Sequence, residues 1–347
     1  MTTIGKSLFR GKSSDAGAAG AAGGAGNSLE ELGIDPASLP EKLRGLDERF
    51  IVNILSEIID HGAPVTWDDI AGLAHAKQCV MEAVIWPMQR PDLFTGLRAV
   101  PRGLLLFGPP GTGKTLLGKA IAHGGGCTFF SISASSLTSK WMGEGEKMVR
   151  ALFGVAEMKA PSVIFIDEID SLLGMRREDD LEGTRRLKTE FLVQLDGVSS
   201  AEKASILVIG ATNRPQDLDE AARRRFVKRL YIPLPDEETR KALFGILLKK
   251  NENQIDDAQI DVLVERSEGY SCADIHNLCR EAAMGPIRDV SKRGGIAGMN
   301  LSNLRPINME DFEYAFGQVR ASVGQDDLDG YKQWNEKFGS LGSAGVA

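Results

Sequence analysis

Residues 108–115 read Gly-Pro-Pro-Gly-Thr-Gly-Lys-Thr, immediately after the apolar run 103–107 and immediately before a segment with helical patterning. This is the spacing G-x-x-x-x-G-K-[ST], in which glycines let backbone N–H groups turn inward around phosphate oxygens. A helix that begins at the end of such a loop adds the positive end of its dipole. The strand, the loop and the helix together predict a phosphate-binding P-loop, because a Gly/Pro-rich turn alone does not explain this context.

Further apolar runs alternate with helical patterns along the next part of the chain, at residues 128–133, 162–167, 206–212 and 229–234. Continuous apolar runs that are separated by helices indicate a parallel sheet covered on both faces. After Pro235 only helical patterns follow. The sequence therefore predicts the α/β class: a P-loop NTPase parallel sheet covered by helices over residues 63–235, and a small C-terminal all-helical domain over residues 236–320.

The two ends of the chain have a different composition from the middle. Residues 13–27 are rich in Gly, Ala and Ser, which predicts a disordered N-terminal segment over residues 1–45. Apolar residues then recur at helical spacing and predict an amphipathic linker helix over residues 46–62. A last helical pattern predicts a C-terminal helix within residues 321–347.

The composition excludes several classes of protein. A formal charge of −7 argues against a dedicated nucleic-acid binder, so no direct sequence-specific nucleic-acid binding is expected. The apolar runs are far shorter than a membrane span, and the first residues have no apolar signal-peptide core. The four cysteines and four histidines have no metal-ligand spacing. We therefore expect a soluble intracellular protein, cytoplasmic and/or nuclear, without a zinc site.

The residues of the P-loop suit Mg-ATP. Lys114 can reach the β- and γ-phosphates, and Thr115 can offer its hydroxyl to Mg²⁺. ATP is therefore the predicted substrate and Mg²⁺ the predicted cofactor. The predicted ATP-binding residues of the loop are Gly108, Pro109, Pro110, Gly111, Thr112, Gly113, Lys114, Thr115 and Leu116.

Two carboxylates, Asp167 and Glu168, follow one another at the end of the apolar run 162–167. An acidic pair after a strand is often only a solvated helix cap. In open α/β sheets, however, ligands bind at the carboxyl ends of the strands. Downstream of a P-loop, Asp167 is therefore predicted to hold Mg²⁺ through its water shell, and Glu168 to polarise the attacking water.

Two further polar elements have both a functional and a structural interpretation. Asn213 could hydrogen-bond the attacking water near the γ-phosphate, or it could be a turn residue before Arg-Pro. Arg224 and Arg225 could complement the dipole of the helix that they end, or they could be arginine fingers that stabilise transition-state charge. Because both lie far from the P-loop in sequence, a finger role indicates action on a neighbouring subunit's ATP, and so a ring.

The order of these elements resembles that of the AAA ATPases from about residue 68 to the C-terminus. In that family a segment like Asp69-Ile70-Ala71-Gly72 contacts adenine, which implies that Ala71 and Gly72 bind ATP here. The helical domain corresponds to the family's lid, in which Cys272 stands where the family has glycine. Hexamers that draw substrate through a central pore are the family norm, so the resemblance implies a homo-hexamer.

Within the family, residues 135–146 resemble the first pore loop of the meiotic clade, which contains katanin, spastin, fidgetin and the endosomal-sorting ATPases. The C-terminal pattern with Tyr331 and Trp334 agrees with that clade, in which the arginine pair before Phe226 acts in trans. Three segments are especially similar to the fidgetin-like proteins, at residues 94–98, 129–141 and 220–236.

The resemblance places three residues, Lys140, Trp141 and Met142, in the substrate-binding part of that pore loop. A large aromatic residue in a glycine-flanked polar loop is poorly placed for a core. Trp141 is therefore predicted to project into the pore and grip a threaded chain, although it could instead fold back on the next helix. Lys140 would attract acidic segments of a substrate.

The substrate has three interpretations. Fidgetins, spastins and katanins sever microtubules by pulling acidic tubulin tails, which makes a cytoskeleton-associated severing motor the first hypothesis. Fidgetin-like proteins are also associated with nuclear disassembly of recombinase–DNA filaments through an F-x-x-A motif, and the two matches here, 153–156 and 312–315, fall in predicted core helices. An ATP-gated scaffold that threads nothing would be expected to lack Glu168 or Trp141, and both are present.

Overall fold

The apolar runs of the sequence form one sheet of five parallel strands in a computed structural model of the chain. The strands are β1 (Gly103–Phe107), β2 (Thr128–Ser133), β3 (Ser162–Asp167), β4 (Ile206–Thr212) and β5 (Lys228–Tyr231). Their order across the sheet is β2-β3-β4-β1-β5. The residues that this structure describes are 29, 35, 39–40, 42–58, 65–94, 96–98, 101–139, 144–175, 182–200, 206–249, 251–294 and 304–340.

The predicted α/β class and its parallel sheet are confirmed, and the first four strands have the predicted bounds. The fifth differs, because β5 ends at Tyr231 whereas the apolar run continues to residue 234. The N–H of Ile232 still donates to the carbonyl of Phe107 at 2.8 Å. Pro233 has no N–H to continue the ladder, so the strand stops there.

The sheet separates two apolar cores. Along β1, the side chains of Leu105 and Phe107 belong to one core, and those of Leu104 and Leu106 belong to the other. This alternation follows from the two-residue period of a strand. All five residues of β1 are buried, so the strand that leads into the P-loop is covered on both faces, as a continuous apolar run indicates.

Helices before and between the strands cover both faces of the sheet. They are α1 (Glu48–Ser56), α2 (Ala74–Val80), α3 (Trp86–Gln89), α4 (Lys114–Gly125), α5 (Ala134–Ser139), α6 (Gly145–Met158), α7 (Ile169–Leu173), α8 (Glu182–Ser200) and α9 (Glu220–Arg225). A π-helical segment, Met81–Ile85, joins α2 to α3, and short 3-10 turns lie at Trp67–Asp69, Pro91–Leu93, Gly96–Arg98 and Pro215–Asp217.

The N-terminal part of the chain already contacts the sheet and its helices before the predicted linker helix begins. Leu39 and Leu43 are buried in the core, although they fall in the predicted disordered segment 1–45. Leu43 lies over Gly154 of α6, where a Cβ atom would come within 2.5 Å of the leucine side chain. Within the predicted segment, Leu39 and Leu43 therefore have an apolar surface to pack against, and the disorder of the segment stays a prediction. Residues 1–28 lie outside the described residues.

The predicted linker helix is α1, which begins after the capping residue Asp47 and ends at Ser56. Directly after it, the N–H of Ser131 in β2 donates to the carbonyl of Glu57 at 3.3 Å, and Ile58 pairs antiparallel with Phe130. This short pairing covers part of the edge strand, whose unpaired backbone groups would otherwise face solvent.

A separate helical unit follows the sheet. Its helices are α10 (Glu237–Leu248), α11 (Asp257–Arg266), α12 (Cys272–Ala283), α13 (Gly285–Gly294) and α14 (Met309–Gln318). They share a core of their own around Phe244, Leu278 and Phe312. The predicted small all-helical C-terminal domain is thereby confirmed, and we refer to these helices as the lid.

The last helix, α15 (Gln325–Phe338), leaves the lid and returns to the sheet. Trp334 packs edge-on against Phe107, the final residue of β1, with 4.4 Å between ring centroids. The sequence predicted this helix but not the surface on which it packs. Among the described residues, none of the helices combines the length and the apolar character needed to cross a membrane.

Candidate functional site

Parallel pairing brings the ends of three strands to one edge of the sheet. Phe107 of β1 is in register with Thr212 of β4, and Ile166 of β3 is in register with Gly210 of β4. The segments that follow these strands are the P-loop, the pair Asp167–Glu168 and the segment that begins at Asn213. The structure therefore places the main predicted site residues next to one another.

The P-loop depends on backbone conformations that glycine adopts without strain. Gly108 has φ 144°, and a Cβ atom there would lie 2.2 Å from the carbonyl oxygen of Ile232. Gly113 has φ 88° and precedes α4. Because glycine has no side chain, it cannot cap the first N–H groups of this helix. The start of this helix can therefore direct its N–H groups and its dipole at an anion.

Lys114 is the first residue of α4 and is 7% exposed. Its ammonium group donates to the carbonyl of Gly108 at 2.9 Å and to the carbonyl of Pro109 at 2.7 Å. Burial lowers the pKa of Lys114 to about 8, although the nearby carboxylate of Asp167 acts in the opposite direction. A cation with few water contacts interacts strongly with phosphate, because little hydration has to be removed on binding.

Thr115 and Asp167, the predicted ligands of Mg²⁺, lie within hydrogen-bond distance of each other. The hydroxyl of Thr115 donates to Oδ2 of Asp167 at 3.0 Å, across 52 positions of sequence. Both groups are oxygen ligands of the kind that Mg²⁺ prefers, and Mg²⁺ commonly takes only one or two protein ligands beside phosphate and water. Among the described residues, no group of three or more His, Cys, Asp or Glu side chains is arranged to hold a metal ion by itself.

Glu168 stands at the turn between β3 and α7. Its backbone has φ 52°, in the left-handed region that non-glycine residues seldom adopt, and its N–H donates to Oδ1 of Asp167 at 3.0 Å. Such conformations are strained and cluster at functional sites. The side chain of Glu168 is exposed at this edge, where a water-polarising carboxylate is required.

Asn213 follows β4 beside these groups. Its Oδ1 atom is buried and has no hydrogen-bond partner among the described residues. Its neighbour Thr212 donates to Oδ1 of Asp170 in α7 at 2.5 Å and accepts from the N–H of Arg214 at 2.8 Å. Asp170 and Thr212 thus join this site without having been predicted from the sequence, although the position of Thr212 at the end of an apolar run was a signal for it.

The lid lies directly on the P-loop. The N–H of Ala273, in the first turn of α12, donates to the carbonyl of Gly111 at 3.0 Å. The predicted adenine segment also meets the lid, since a Cβ atom at Gly72 would lie 1.9 Å from Oγ1 of Thr239. Cys272 is at this junction, and burial raises the pKa of its thiol to about 11, so the thiol is neutral. Ala71 is half-buried beside Gly72, and Leu116 is 47% exposed.

The two arginines lie near the amino end of β1, opposite the end of the strand that leads into the P-loop. The carbonyl of Arg225 is next to Gly103, because a Cβ atom at Gly103 would lie 2.6 Å from that oxygen. Gly103 begins β1 and the P-loop follows its end, and a strand of five residues spans roughly 16 Å. Arg225 makes a two-point ion pair with Asp196 at 2.8 and 2.6 Å, and Arg224 pairs with Glu220. Neither arginine is therefore placed to reach the P-loop of its own chain.

The predicted pore-loop residues Lys140, Trp141 and Met142 lie outside the described residues. The chain is described up to the end of α5 at Ser139 and again from Glu144 before α6. Their role in gripping a substrate stays a prediction.

The residues at the sheet edge fit Mg-ATP. A glycine-rich loop and a helix N-terminus face the place of a polyphosphate, with a buried lysine among them. A paired hydroxyl and carboxylate are suited to Mg²⁺, and a free carboxylate and an amide stand beside them. These features define a P-loop NTPase with a helical lid.

Three family models match the chain. The model described as ATPase family associated with various cellular activities (AAA) matches residues 104–234. An AAA+ lid domain model matches residues 257–313, and a Vps4 C terminal oligomerisation domain model matches residues 296–339.

Solved structures agree with the family models. The crystal structure of a FIGL-1 AAA domain in complex with ADP has a TM-score of 0.79 at 53% identity, and the match covers 86% of this chain and 99% of that chain. A katanin structure concerned with self-assembly has a TM-score of 0.71 at 39% identity, over 83% of this chain and 96% of that chain. The chain belongs to the AAA ATPase family.

The resemblance to the fidgetin-like proteins is confirmed as well. Fidgetin-like protein 1 of Rattus norvegicus is 56% identical, over 88% of this chain and 45% of the relative. Fidgetin-like protein 1 of Homo sapiens is 57% identical, over 86% of this chain and 44% of the relative. The chain thus spans about half the length of the curated relatives that it matches.

The pKa of Lys114 predicts how nucleotide affinity depends on pH. Below about pH 8 the ammonium group is charged in the free protein, and above it the group is neutral. We expect the Kd for an ATP analogue to rise roughly tenfold from pH 7 to pH 9, because binding must then restore the proton. The arginine of Lys114→Arg keeps its charge at both pH values, so the affinity of this variant should differ little between pH 7 and pH 9. Equal wild-type affinity at the two pH values would contradict this account.

Proposed function

We propose that this chain binds Mg-ATP and hydrolyses its γ-phosphate. The observation that carries the proposal is the convergence of Lys114, Thr115, Asp167, Glu168 and Asn213 at one edge of the sheet. The ADP complex of a similar AAA domain supports a nucleotide at this position. Positioning and charge stabilisation account for most of the catalysis of phosphoryl transfer, and these residue types supply both.

Each residue has a defined task in this proposal. Lys114 neutralises phosphate charge, and Glu168 orients and polarises the attacking water. Asn213 donates a hydrogen bond near the γ-phosphate. Thr115 and Asp167 would hold Mg²⁺, which when bound neutralises charge on the phosphate oxygens.

Glu168→Gln tests the hydrolysis proposal. The amide has the shape of the carboxylate but cannot polarise water, so we expect at least a ~100-fold loss of turnover with ATP affinity retained. Phosphate release at steady state and binding of a fluorescent ATP analogue measure the two effects. Glu265→Gln, an exposed position on lid helix α11, is the matched control and should hydrolyse normally. Near-normal turnover of Glu168→Gln would show that another residue activates the water.

We further propose that the chain works as a ring, most simply a hexamer, in which Arg224 and Arg225 act on the ATP of a neighbour. The location of both arginines at the sheet edge opposite their own P-loop supports this. The match to an oligomerisation-domain model and the similarity to a katanin structure concerned with self-assembly support assembly. In a ring, Arg225 would exchange Asp196 for a neighbour's phosphate.

Mixing two inactive variants tests action in trans. Arg225→Ala lacks the finger and Lys114→Ala lacks the phosphate contact, so neither should hydrolyse alone; a finger accelerates hydrolysis by roughly 10³–10⁵-fold where it acts. A mixture should recover part of the activity, because some interfaces pair an intact finger with an intact P-loop. Native mass spectrometry identifies mixed rings. Mixed rings without recovered hydrolysis would rule out the trans assignment.

For the work done by hydrolysis, we propose that the ring pulls polypeptide through a central pore and severs microtubules. The similarity to katanin, and to a spastin that is 51% identical over 86% of this chain, supports this choice. Disassembly of recombinase–DNA filaments has less support, because Phe153 and Phe312 of the two F-x-x-A matches are buried in cores. Those matches therefore serve packing.

A severing assay with two tryptophan variants tests the motor proposal. We expect wild type to break fluorescent microtubules only with hydrolysable ATP. Trp141→Ala should hydrolyse ATP and assemble, but lose severing because the pore has no aromatic grip. Trp86→Ala removes a tryptophan that is 48% exposed elsewhere and should sever normally. A parallel assay with recombinase–DNA filaments decides between substrates, and unimpaired severing by a stable Trp141→Ala would rule out the grip.

A further inference from the structure

The C-terminal helix α15 is anchored at the edge of the sheet that carries the candidate site. Two of its aromatic side chains, Tyr331 and Trp334, are 9% and 8% exposed. Trp334 packs on Phe107, the residue directly before the P-loop, and the ring of Tyr331 stacks with Tyr231 at 6.4 Å. These contacts fix the position of the helix relative to the ends of β1 and β5.

The hydroxyl of Tyr331 reaches from this helix into the site. It donates to the backbone carbonyl of Asn213 at 2.5 Å, across 118 positions of sequence. Burial raises the pKa of Tyr331, and the nearby Asp327 acts in the same direction. The hydroxyl therefore keeps its proton and remains a donor at neutral pH. The bond fixes the peptide of Asn213, which is proposed to donate a hydrogen bond near the γ-phosphate.

Asn213 is also held from the side of β3. Thr212 accepts from the N–H of Arg214, which closes a turn around Asn213, and it donates to Asp170. Asp170 lies in the first turn of α7, two residues after Glu168. The segment around Asn213 is therefore tied through Thr212 to α7, the helix that begins directly after Glu168, and through Tyr331 to the C-terminal helix.

We propose that Tyr331 is a positioning residue for ATP hydrolysis. Its hydroxyl holds the Asn213 peptide, and thereby the Asn213 side chain, where that side chain can order the attacking water. The inference rests on the proposed function of the chain as an ATPase. Tyr331 belongs to the segment that matches the oligomerisation-domain model. Since the Tyr331 hydroxyl holds the Asn213 peptide, a displacement of α15 would change the hydrolytic rate.

Tyr331→Phe removes the hydroxyl alone and leaves the ring against Tyr231. We expect kcat for ATP hydrolysis to fall roughly 10- to 100-fold, the scale on which a displacement of about 1 Å acts. Affinity for ADP should stay unchanged, because ADP has no γ-phosphate for Asn213 to meet. The loss should therefore appear in kcat and not in nucleotide binding.

A double-mutant cycle separates positioning from general destabilisation. In Asn213→Ala the side chain that Tyr331 positions is already absent. Adding Tyr331→Phe should then lower single-turnover hydrolysis by less than about twofold, because the two residues act as one unit. Tyr270→Phe removes a bond of the same kind, in which a part-buried hydroxyl donates to the carbonyl of Val319 at 2.7 Å. Its unfolding midpoint should shift as much as that of Tyr331→Phe.

The outcomes distinguish this inference from the proposal on which it rests. An active wild type with unaffected Tyr331→Phe overturns the positioning role alone. Losses that multiply fully in the double variant overturn it as well, and so does a parallel fall of kcat and ADP affinity, which a merely structural role would produce. A wild-type chain that hydrolyses no ATP overturns both the proposed function and this inference.

Discussion

The parallel hydrogen-bond ladder through β3, β4 and β1 is the constraint on which the rest of the structure depends. It sets Phe107 level with Thr212, and Ile166 level with Gly210. Because parallel strands all end at the same edge, the loops after them must meet there. A slip of one residue in either pairing would move every side chain of the slipped strand to the opposite face and would shift the carboxylate pair relative to the P-loop.

The burial of the Lys114 ammonium group indicates that this end of the sheet binds an anion. Lys114 is almost fully enclosed, and its pKa falls to about 8. Two backbone carbonyls and the charge of Asp167 offset only part of the lost hydration. A polyphosphate would supply the missing negative charge, and the N-terminus of α4 contributes in the same direction. The same arrangement makes the site selective for anions and sensitive to the protonation state of one lysine.

Three parts of the chain that are distant in sequence meet at or beside the P-loop: the lid, the segment around Gly72 that contacts the lid, and the C-terminal helix. The lid contacts Gly111 through Ala273, and the N-terminal segment meets the lid where Gly72 approaches Thr239. The C-terminal helix packs on Phe107 through Trp334. A movement of the P-loop would therefore be transmitted directly to the lid and to the C-terminal helix, and through the lid to the segment that precedes β1.

The sequence by itself determined the α/β class, the bounds of four strands, the P-loop and the carboxylate pair. Each of these depends on the order and periodicity of residues that are close together in the chain. It also indicated the family, since several motifs occur in a fixed order. Only the tertiary structure decided that Leu39 and Leu43 belong to the core, that Arg225 lies beside the start of β1 whereas the P-loop follows its end, and that Tyr331 meets Asn213. Those contacts join residues tens to hundreds of positions apart. Local pattern contains no information about such distances, because they are set by how the helices pack on the completed sheet.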